Sequence, residues 1–228
     1  MSTKRIFLIH ATRLAMDPVN AGFARLWPQA RCFNLWDDSL SVDANAAGHV
    51  TPALTERLWR LAEHAVRADA DGVLFTCSSY PDAIASCQRR YRIPMLKPNE
   101  AMVREALNTG SRIAALTTFG PAADAIAADF AAESAALAQA GPGTSATQPQ
   151  VTPVLCEGAL AALQAGDVTR HDELIAATAG KLRGHYDVLC LAQFSMSSAV
   201  SACEAAFAGP VLSSPDSAVR LLRALVEG

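Results

Sequence analysis

The sequence predicts an α/β protein with two pseudo-symmetric lobes, each a short, mostly parallel sheet flanked by helices. Short β-rich runs alternate with longer Ala-rich helical patterns, which is typical of parallel strands joined by crossover helices. The chain also matches itself at an offset of 116 residues. Because 51% of the 228 residues are apolar and 18% are charged, the chain can bury one large core or two small ones.

Four short apolar runs predict the clearest strands. These runs cover residues 6–9, 73–75, 113–116 and 188–191. A continuous apolar run is typical of a strand that is buried on both faces. Between these runs, apolar residues at helical spacing predict helices over 54–66 and 126–137. Segment 141–153 is rich in Pro, Gly, Ser and Thr and is predicted to be a long surface loop.

The internal repeat predicts how the chain divides into lobes. At the 116-residue offset, Cys87 falls on Cys203 and Pro94 falls on Pro210 without a gap. Units rich in Ala, Val and Leu match partly by composition, but aligned cysteines and prolines weigh against that explanation. We expect two lobes related by a pseudo-twofold axis. The predicted lobes are residues 1–97 plus 213–228 and residues 98–212.

Composition and charge argue against several classes of protein. The 19 basic and 22 acidic residues give a formal net charge of -3, and no dense Lys/Arg run could follow a phosphate backbone. We therefore expect no nucleic-acid partner. Gly, Pro and polar residues interrupt the long uncharged stretches, and the apolar run after Lys4 and Arg5 is too short for a signal peptide. We expect a soluble, cytoplasmic protein with no membrane partner.

The cysteines and histidines predict neither a disulfide framework nor a metal site. The six cysteines include no CxxC pair and follow no short-loop disulfide spacing. Cys87, Cys190 and Cys203 lie among Ala and Leu residues and are predicted to be buried as small hydrophobic side chains. The five histidines are scattered, without the clustered spacing of zinc ligands, so no metal is expected.

Polar loops after the strands of the first half contain the first candidate site residues, because open α/β sheets bind ligands beyond the carboxyl ends of their strands. Cys77 follows one predicted strand and precedes a helix that Pro81 opens, a setting that favours a thiolate. Ser78 and Ser79 are predicted to cap this helix or to hold a carboxylate.

A second loop of the first half follows the first predicted strand. His10, directly after it, could orient or deprotonate the Cys77 thiol, and Arg13 could bind a carboxylate. An exposed arginine in a loop is also often only a solvated charge, and this alternative stays open for Arg13.

The matching loops of the second half carry amides and hydroxyls. At the 116-residue offset Gln193 falls on Cys77, and an amide can form hydrogen bonds but cannot exchange a proton near neutral pH. Ser195 either caps the following helix or donates to a substrate. The hydroxyls of the loop formed by Thr117, Thr118 and Phe119 suit an anionic oxygen.

The Thr-Cys-Ser-Ser loop at 76–79 and the Leu-Ala-Gln-Phe-Ser-Met segment at 191–196 resemble the aspartate/glutamate/hydantoin racemase superfamily. This superfamily also contains arylmalonate decarboxylase and maleate isomerase, and the resemblance covers nearly the whole chain. It implies a cofactor-independent active site in the cleft between the lobes, where one cysteine from each half faces the α-carbon of a small carboxylate substrate. It also suggests a homo-oligomer, a dimer or a higher assembly.

Carried onto this sequence, the resemblance makes Cys77 the first of the two cysteines and puts Gln193 in the place of the second. It implies a racemase or isomerase in which Cys77 is the thiol acid/base, assisted by polar residues at His10 to Arg13. Hydroxyls in both halves would stabilise an enediolate, and Thr118 would replace a phenolic hydroxyl that Phe119 lacks.

Three alternatives remain open because Gln193 cannot serve as a second base. One is a single-cysteine decarboxylase or lyase, although the family's decarboxylase keeps its cysteine in the other half. Another is covalent addition of Cys77 to a double bond, as in the maleate isomerase branch. The third is a non-catalytic protein that binds small carboxylates.

Overall fold

The computed structural model describes residues 3–139 and 149–228. By their contacts these residues form two compact units, unit 1 with residues 3–98 and 218–228 and unit 2 with residues 99–139 and 149–217. Each unit contains a four-stranded parallel sheet with helices packed against it. The α/β class and the organisation into two similar lobes, both predicted from the sequence, are confirmed.

Unit 1 has the strand order β2-β1-β3-β4. Its strands are β1 (Arg5–His10), β2 (Arg31–Trp36), β3 (Gly72–Phe75) and β4 (Met95–Leu96). Its helices are α1 (Met16–Leu26), α2 (Ser39–Ala47), α3 (Pro52–Arg67) and α4 (Pro81–Arg90), and a 3-10 turn (Arg13–Ala15) precedes α1.

Unit 2 has the strand order β6-β5-β7-β8. Its strands are β5 (Arg112–Thr117), β6 (Gln150–Leu155), β7 (Val188–Leu191) and β8 (Val211–Ser213). Its helices are α5 (Glu100–Thr109), α6 (Gly120–Gln139), α7 (Ala159–Gln164), α8 (Val168–Lys181) and α9 (Val200–Ala206), with a 3-10 turn (Phe194–Ala199) before α9. The last helix, α10 (Ser214–Glu227), begins in unit 2 and ends in unit 1.

The two sheets repeat one topology. Strands β3 and β7, which are 116 residues apart, pair with β1 and β5 in the same register. Ile9 lies opposite Phe75 in unit 1, and Leu116 lies opposite Leu191 in unit 2. The sequence repeat therefore corresponds to a structural repeat, and the residues that follow β3 and β7 occupy matching positions.

The predicted loop over 141–153 was partly wrong. Residues 140–148 lie outside the described residues, but residues 150–153 belong to β6. Pro153 pairs with Ala115 in this strand, and because β6 is an edge strand with one neighbour, a residue without an N–H can be accommodated. Strand β2 also lacked a clear signal, since it is an edge strand with a mixed pattern of exposed and half-buried residues.

The predicted helices over 54–66 and 126–137 are confirmed as parts of α3 and α6. Helix α3 begins at Pro52 because the Thr51 hydroxyl accepts a hydrogen bond from the Leu54 N–H (3.3 Å) and proline is favoured in the first turn. Leu54 and Leu58 on its apolar face join the core of unit 1 with Phe75. In the described ranges, no helix is long and apolar enough to cross a membrane.

Candidate functional site

The carboxyl edge of the unit 1 sheet brings together the loops predicted from the first half. Strands β1 and β3 are neighbours at the centre of the sheet. His10 at the end of β1 and Thr76 directly after β3 therefore lie side by side. Cys77 is half-buried and packs at the border of the unit 1 core. Helix α4 begins only at Pro81, with Tyr80 as its N-cap residue. Ser78 and Ser79 form the intervening turn, so the cap predicted for them is absent.

Four of the six cysteines are buried, whereas Cys77 and Cys32 are half-buried. The cysteines predicted to be buried, Cys87, Cys190 and Cys203, are buried, as is Cys156. Burial raises the pKa of Cys87 and Cys156 to about 11 and that of Cys203 to about 12. Burial also raises the pKa of the half-buried Cys32 to about 12.

Tyr80, the N-cap residue of α4, belongs to the core cluster against which Cys77 packs. Its hydroxyl is buried and donates to the Leu40 carbonyl oxygen (2.8 Å). Burial first, and then negative charge at Cys77, raise the pKa of Tyr80 to about 12, so the phenol stays protonated.

An ion-pair cluster lies next to this edge, after β2. Arg57 forms salt bridges with Asp37 and Asp43, each at 2.6 Å, and also donates to Ser39. Partial burial opposes ionisation of Asp37, but the hydrogen bonds from Ser39 and Arg57 prevail and lower its pKa. The sequence analysis missed this cluster because its members come from three separate segments.

His10 lies fully buried at the end of β1, with both ring nitrogens in hydrogen bonds. Its Nδ1 is 2.8 Å from the Thr76 hydroxyl, and its Nε2 is 2.9 Å from Oδ1 of Asn34. Burial lowers the pKa of His10, although the bond to Asn34 opposes this effect, so the ring is neutral near neutral pH. His10 therefore contacts Thr76, the residue directly before Cys77. Arg13, the other candidate of this loop, is exposed in the 3-10 turn that follows.

Two asparagines that sequence analysis missed complete this arrangement. Asn20 of α1 donates from Nδ2 to Oδ1 of Asn34 (3.1 Å) and to the Met16 carbonyl oxygen (2.8 Å). Asn34 lies on the edge strand β2, which has no clear sequence signal. The pairing of Leu8 with Asn34 places this amide diagonally beside His10, a relation visible only once the register is known.

In unit 2, Gln193 and Thr118 are in direct contact at the matching edge. The side-chain Oε1 of Gln193 accepts from the Thr118 backbone N–H (2.6 Å) and from the Thr118 hydroxyl (2.9 Å). These two donors fix the amide with its oxygen toward Thr118, which leaves the Nε2 hydrogens as donors for another group. The Thr118 hydroxyl, expected to replace a phenolic donor, instead donates to Gln193.

The other predicted residues of unit 2 lie around this pair. Thr117 is fully buried, and its hydroxyl has no hydrogen-bond partner among the described residues. Phe119 is 41% exposed, and Ser195 is half-buried in the 3-10 turn before α9. Residues 3–139 and 149–228 contain no group of three or more His, Cys, Asp or Glu side chains that could hold a metal ion.

One family model matches the sequence, and several solved structures share the fold. The model of the Asp/Glu/hydantoin racemase family matches residues 11–222. An aspartate racemase homologue from Pyrococcus horikoshii is similar in structure (TM-score 0.72, 16% identity, 99% of this chain and 100% of that chain). An allantoin racemase from Klebsiella pneumoniae is also similar (TM-score 0.70, 13% identity, 98% of this chain and 88% of that chain).

An unliganded arylmalonate decarboxylase has the same fold (TM-score 0.63, 17% identity, 99% of this chain and 94% of that chain). No curated protein sequence matches the chain. At these identities the structural similarities show a shared fold, whereas the family model covers most of the sequence. The chain therefore belongs to the Asp/Glu/hydantoin racemase family.

Proposed function

We propose that the protein transfers a proton at the α-carbon of a small carboxylate without a cofactor, with the Cys77 thiol as the acid/base. The observation that carries this proposal is the position of Cys77. It is a half-buried thiol at the carboxyl edge of a parallel sheet, where α/β proteins bind ligands. Structural similarity to an aspartate racemase homologue and to an allantoin racemase supports the choice of reaction class.

Removing an α-proton from a carboxylate creates an enediolate, whose charge needs preorganised donors. We assign this role to the hydroxyls of Ser78, Ser79, Thr117 and Ser195 and to the Gln193 amide. The Thr118 hydroxyl and N–H fix that amide, which presents Nε2 as a donor. Thr117 has a buried hydroxyl without a partner in the described part of the chain, which suits a donor to substrate. The residues assigned to substrate binding are Arg13, Ser78, Ser79, Thr117, Thr118, Phe119, Gln193 and Ser195.

Two reactions fit this proposal. A racemase or isomerase agrees with the description of the family. A one-sided reaction, such as that of a decarboxylase or lyase, is favoured by Gln193, because the amide at the position matching Cys77 is held by two hydrogen bonds and cannot exchange a proton. We therefore favour proton transfer on one face of the substrate. The homo-oligomer and the cytoplasmic location stay predictions.

Proton NMR in deuterated buffer tests the proposed reaction directly. The protein is incubated with amino acids, hydantoins and α-substituted malonates as separate classes. We expect one class to lose its α-proton signal, or to lose carbon dioxide with uptake of one deuteron, while the configuration of the product stays uniform. Exchange with inversion would identify a racemase. Absence of exchange in all classes, together with slow alkylation of Cys77, would contradict the proposal in favour of a binding protein.

Alkylation rates provide a second prediction. Iodoacetamide should modify Cys77 at least about 10-fold faster than Cys32 near neutral pH, because burial raises the pKa of the Cys32 thiol and thiolates are the reactive form. Cys32 is the matched control, since both cysteines lie half-buried in unit 1. Peptide mass spectrometry over time gives both rates. Equal rates would show that Cys77 is not a poised nucleophile.

A further inference from the structure

We propose that Asn34 and Asn20 are positioning residues of the Cys77 site, which hold His10 in one tautomer and, through Thr76, fix the segment that carries the thiol. This inference rests on the proposed function of Cys77. The four side chains form a hydrogen-bonded chain from α1 through β2 and β1 to the end of β3. The direction of each hydrogen bond follows from the donors and acceptors available.

The direction is set at the Asn20 end. The Met16 carbonyl oxygen can only accept, so the Asn20 group 2.8 Å away must be its Nδ2. The same Nδ2 donates to Asn34 at 3.1 Å, which identifies the Asn34 atom as Oδ1. Asn34 returns a long hydrogen bond from its Nδ2 to Oδ1 of Asn20 (3.4 Å), so the two amides fix each other.

The orientation of Asn34 then determines the tautomer of His10. Oδ1 of Asn34 is an acceptor 2.9 Å from Nε2 of His10, so Nε2 must carry the proton. In a neutral ring Nδ1 is then an acceptor, so the Thr76 hydroxyl donates its one hydrogen to Nδ1 at 2.8 Å rather than to the Ile9 carbonyl oxygen, which lies at 3.3 Å. Both ring nitrogens are used within this chain, so His10 acts on the thiol through Thr76 rather than as its base.

Thr76 connects this chain to the thiol. Its backbone N–H donates to the Ile9 carbonyl oxygen (3.0 Å), and its buried side chain is fixed by His10. The residue directly before Cys77 is thus restrained by both its backbone and its side chain. A reactive group needs such support, because small displacements of a catalytic atom cost large factors in rate.

The structural repeat shows that the fold does not require this hydrogen-bonded chain of side chains. By strand register, the unit 2 positions that match Asn34, His10 and Thr76 hold Pro153, Thr117 and Ala192. Pro153 has no side-chain amide to replace that of Asn34. Thr117 has no imidazole and Ala192 has no hydroxyl to replace those of His10 and Thr76. Asn34 is also exposed on an edge strand, so packing does not account for it. The hydrogen-bonded chain therefore occurs in unit 1, which carries Cys77. Unit 2, where Gln193 takes the matching position, lacks these three residues.

The test compares Asn34→Leu with wild type and with Asn45→Ala. Asn45 is an exposed residue of α2 that takes no part in the hydrogen-bonded chain. In wild type, 15N NMR of the assigned His10 ring should show a neutral imidazole with the proton on Nε2. In Asn34→Leu the Nδ1–H form should appear, the backbone amide resonance of Cys77 should shift, and kcat should fall about 10-fold with little change in KM. Asn34→Asp keeps an acceptor and should keep Nε2 protonated.

The NMR measurements need no substrate, which separates this inference from the proposed function. If His10 and Cys77 respond in Asn34→Leu while no substrate class exchanges, the positioning chain stands and the proposed reaction fails. A wild-type His10 with its proton on Nδ1 would overturn the chain. The proposal would also be overturned if Asn34→Leu left the His10 ring and Cys77 amide resonances as they are in Asn45→Ala. An unchanged unfolding midpoint would show that the Asn34→Leu protein is folded.

Discussion

Replacing Cys77 with alanine is expected to lower the rate of α-proton exchange by about 1,000-fold or more, since a positioned acid/base contributes about 100- to 10,000-fold. The same change should alter the free energy of unfolding by less than about 1 kcal/mol, because the side chain is half-buried and small. Cys77→Ser should be nearly as inactive, since a hydroxyl is a far weaker acid than a thiol. Exchange followed by NMR and urea denaturation measure the two effects.

Cys87→Ala is the matched control for this experiment. Cys87 belongs to α4, the helix that follows the Cys77 loop, and is buried in the same core. Its loss should cost about 1 to 2 kcal/mol of stability through the cavity it leaves, while the exchange rate stays near that of wild type. A Cys77→Ala protein that keeps its activity, or that loses stability as Cys87→Ala does, would show that Cys77 has a structural role.

The fold could largely be predicted because its signals are local or repeated. Buried central strands such as β3 and β7 are continuous apolar runs, and their spacing of 116 residues equals the offset of the sequence repeat. The edge strands β2 and β6 were missed for a physical reason. Each has one neighbour and partial burial, so β2 and β6 tolerate polar residues and even Pro153.

The candidate site could be predicted only as far as strand ends identify loops. Cys77 and Gln193 follow central strands, so their positions were accessible from sequence. The roles of Thr118 and His10 were not, because each depends on one partner distant in the chain: Gln193 for Thr118, and Asn34 for the His10 ring. Asn34 carried no signal of its own, since its significance comes from the register between β1 and β2.

Gln193→Cys is expected to convert exchange on one face into racemisation. Gln193 occupies the position that matches Cys77. The family resemblance implies a cysteine at both of these positions. The Thr118 N–H and hydroxyl, which now bind Oε1 of Gln193, would lie beside the new side chain as donors able to stabilise a thiolate. We expect inversion to rise about 100-fold above the wild-type background, the lower range for an added acid/base.

Chiral chromatography of the product, combined with its deuterium content by NMR, separates inversion from exchange with retention. Gln193→Ser is the size-matched control and should show no gain, because a hydroxyl does not titrate in this range. The double variant Cys77→Ala with Gln193→Cys should lose inversion, since racemisation needs one base on each face. Racemisation by wild type itself would contradict a one-sided reaction, and a Gln193→Cys protein that still exchanges with retention would place position 193 away from the reacting carbon.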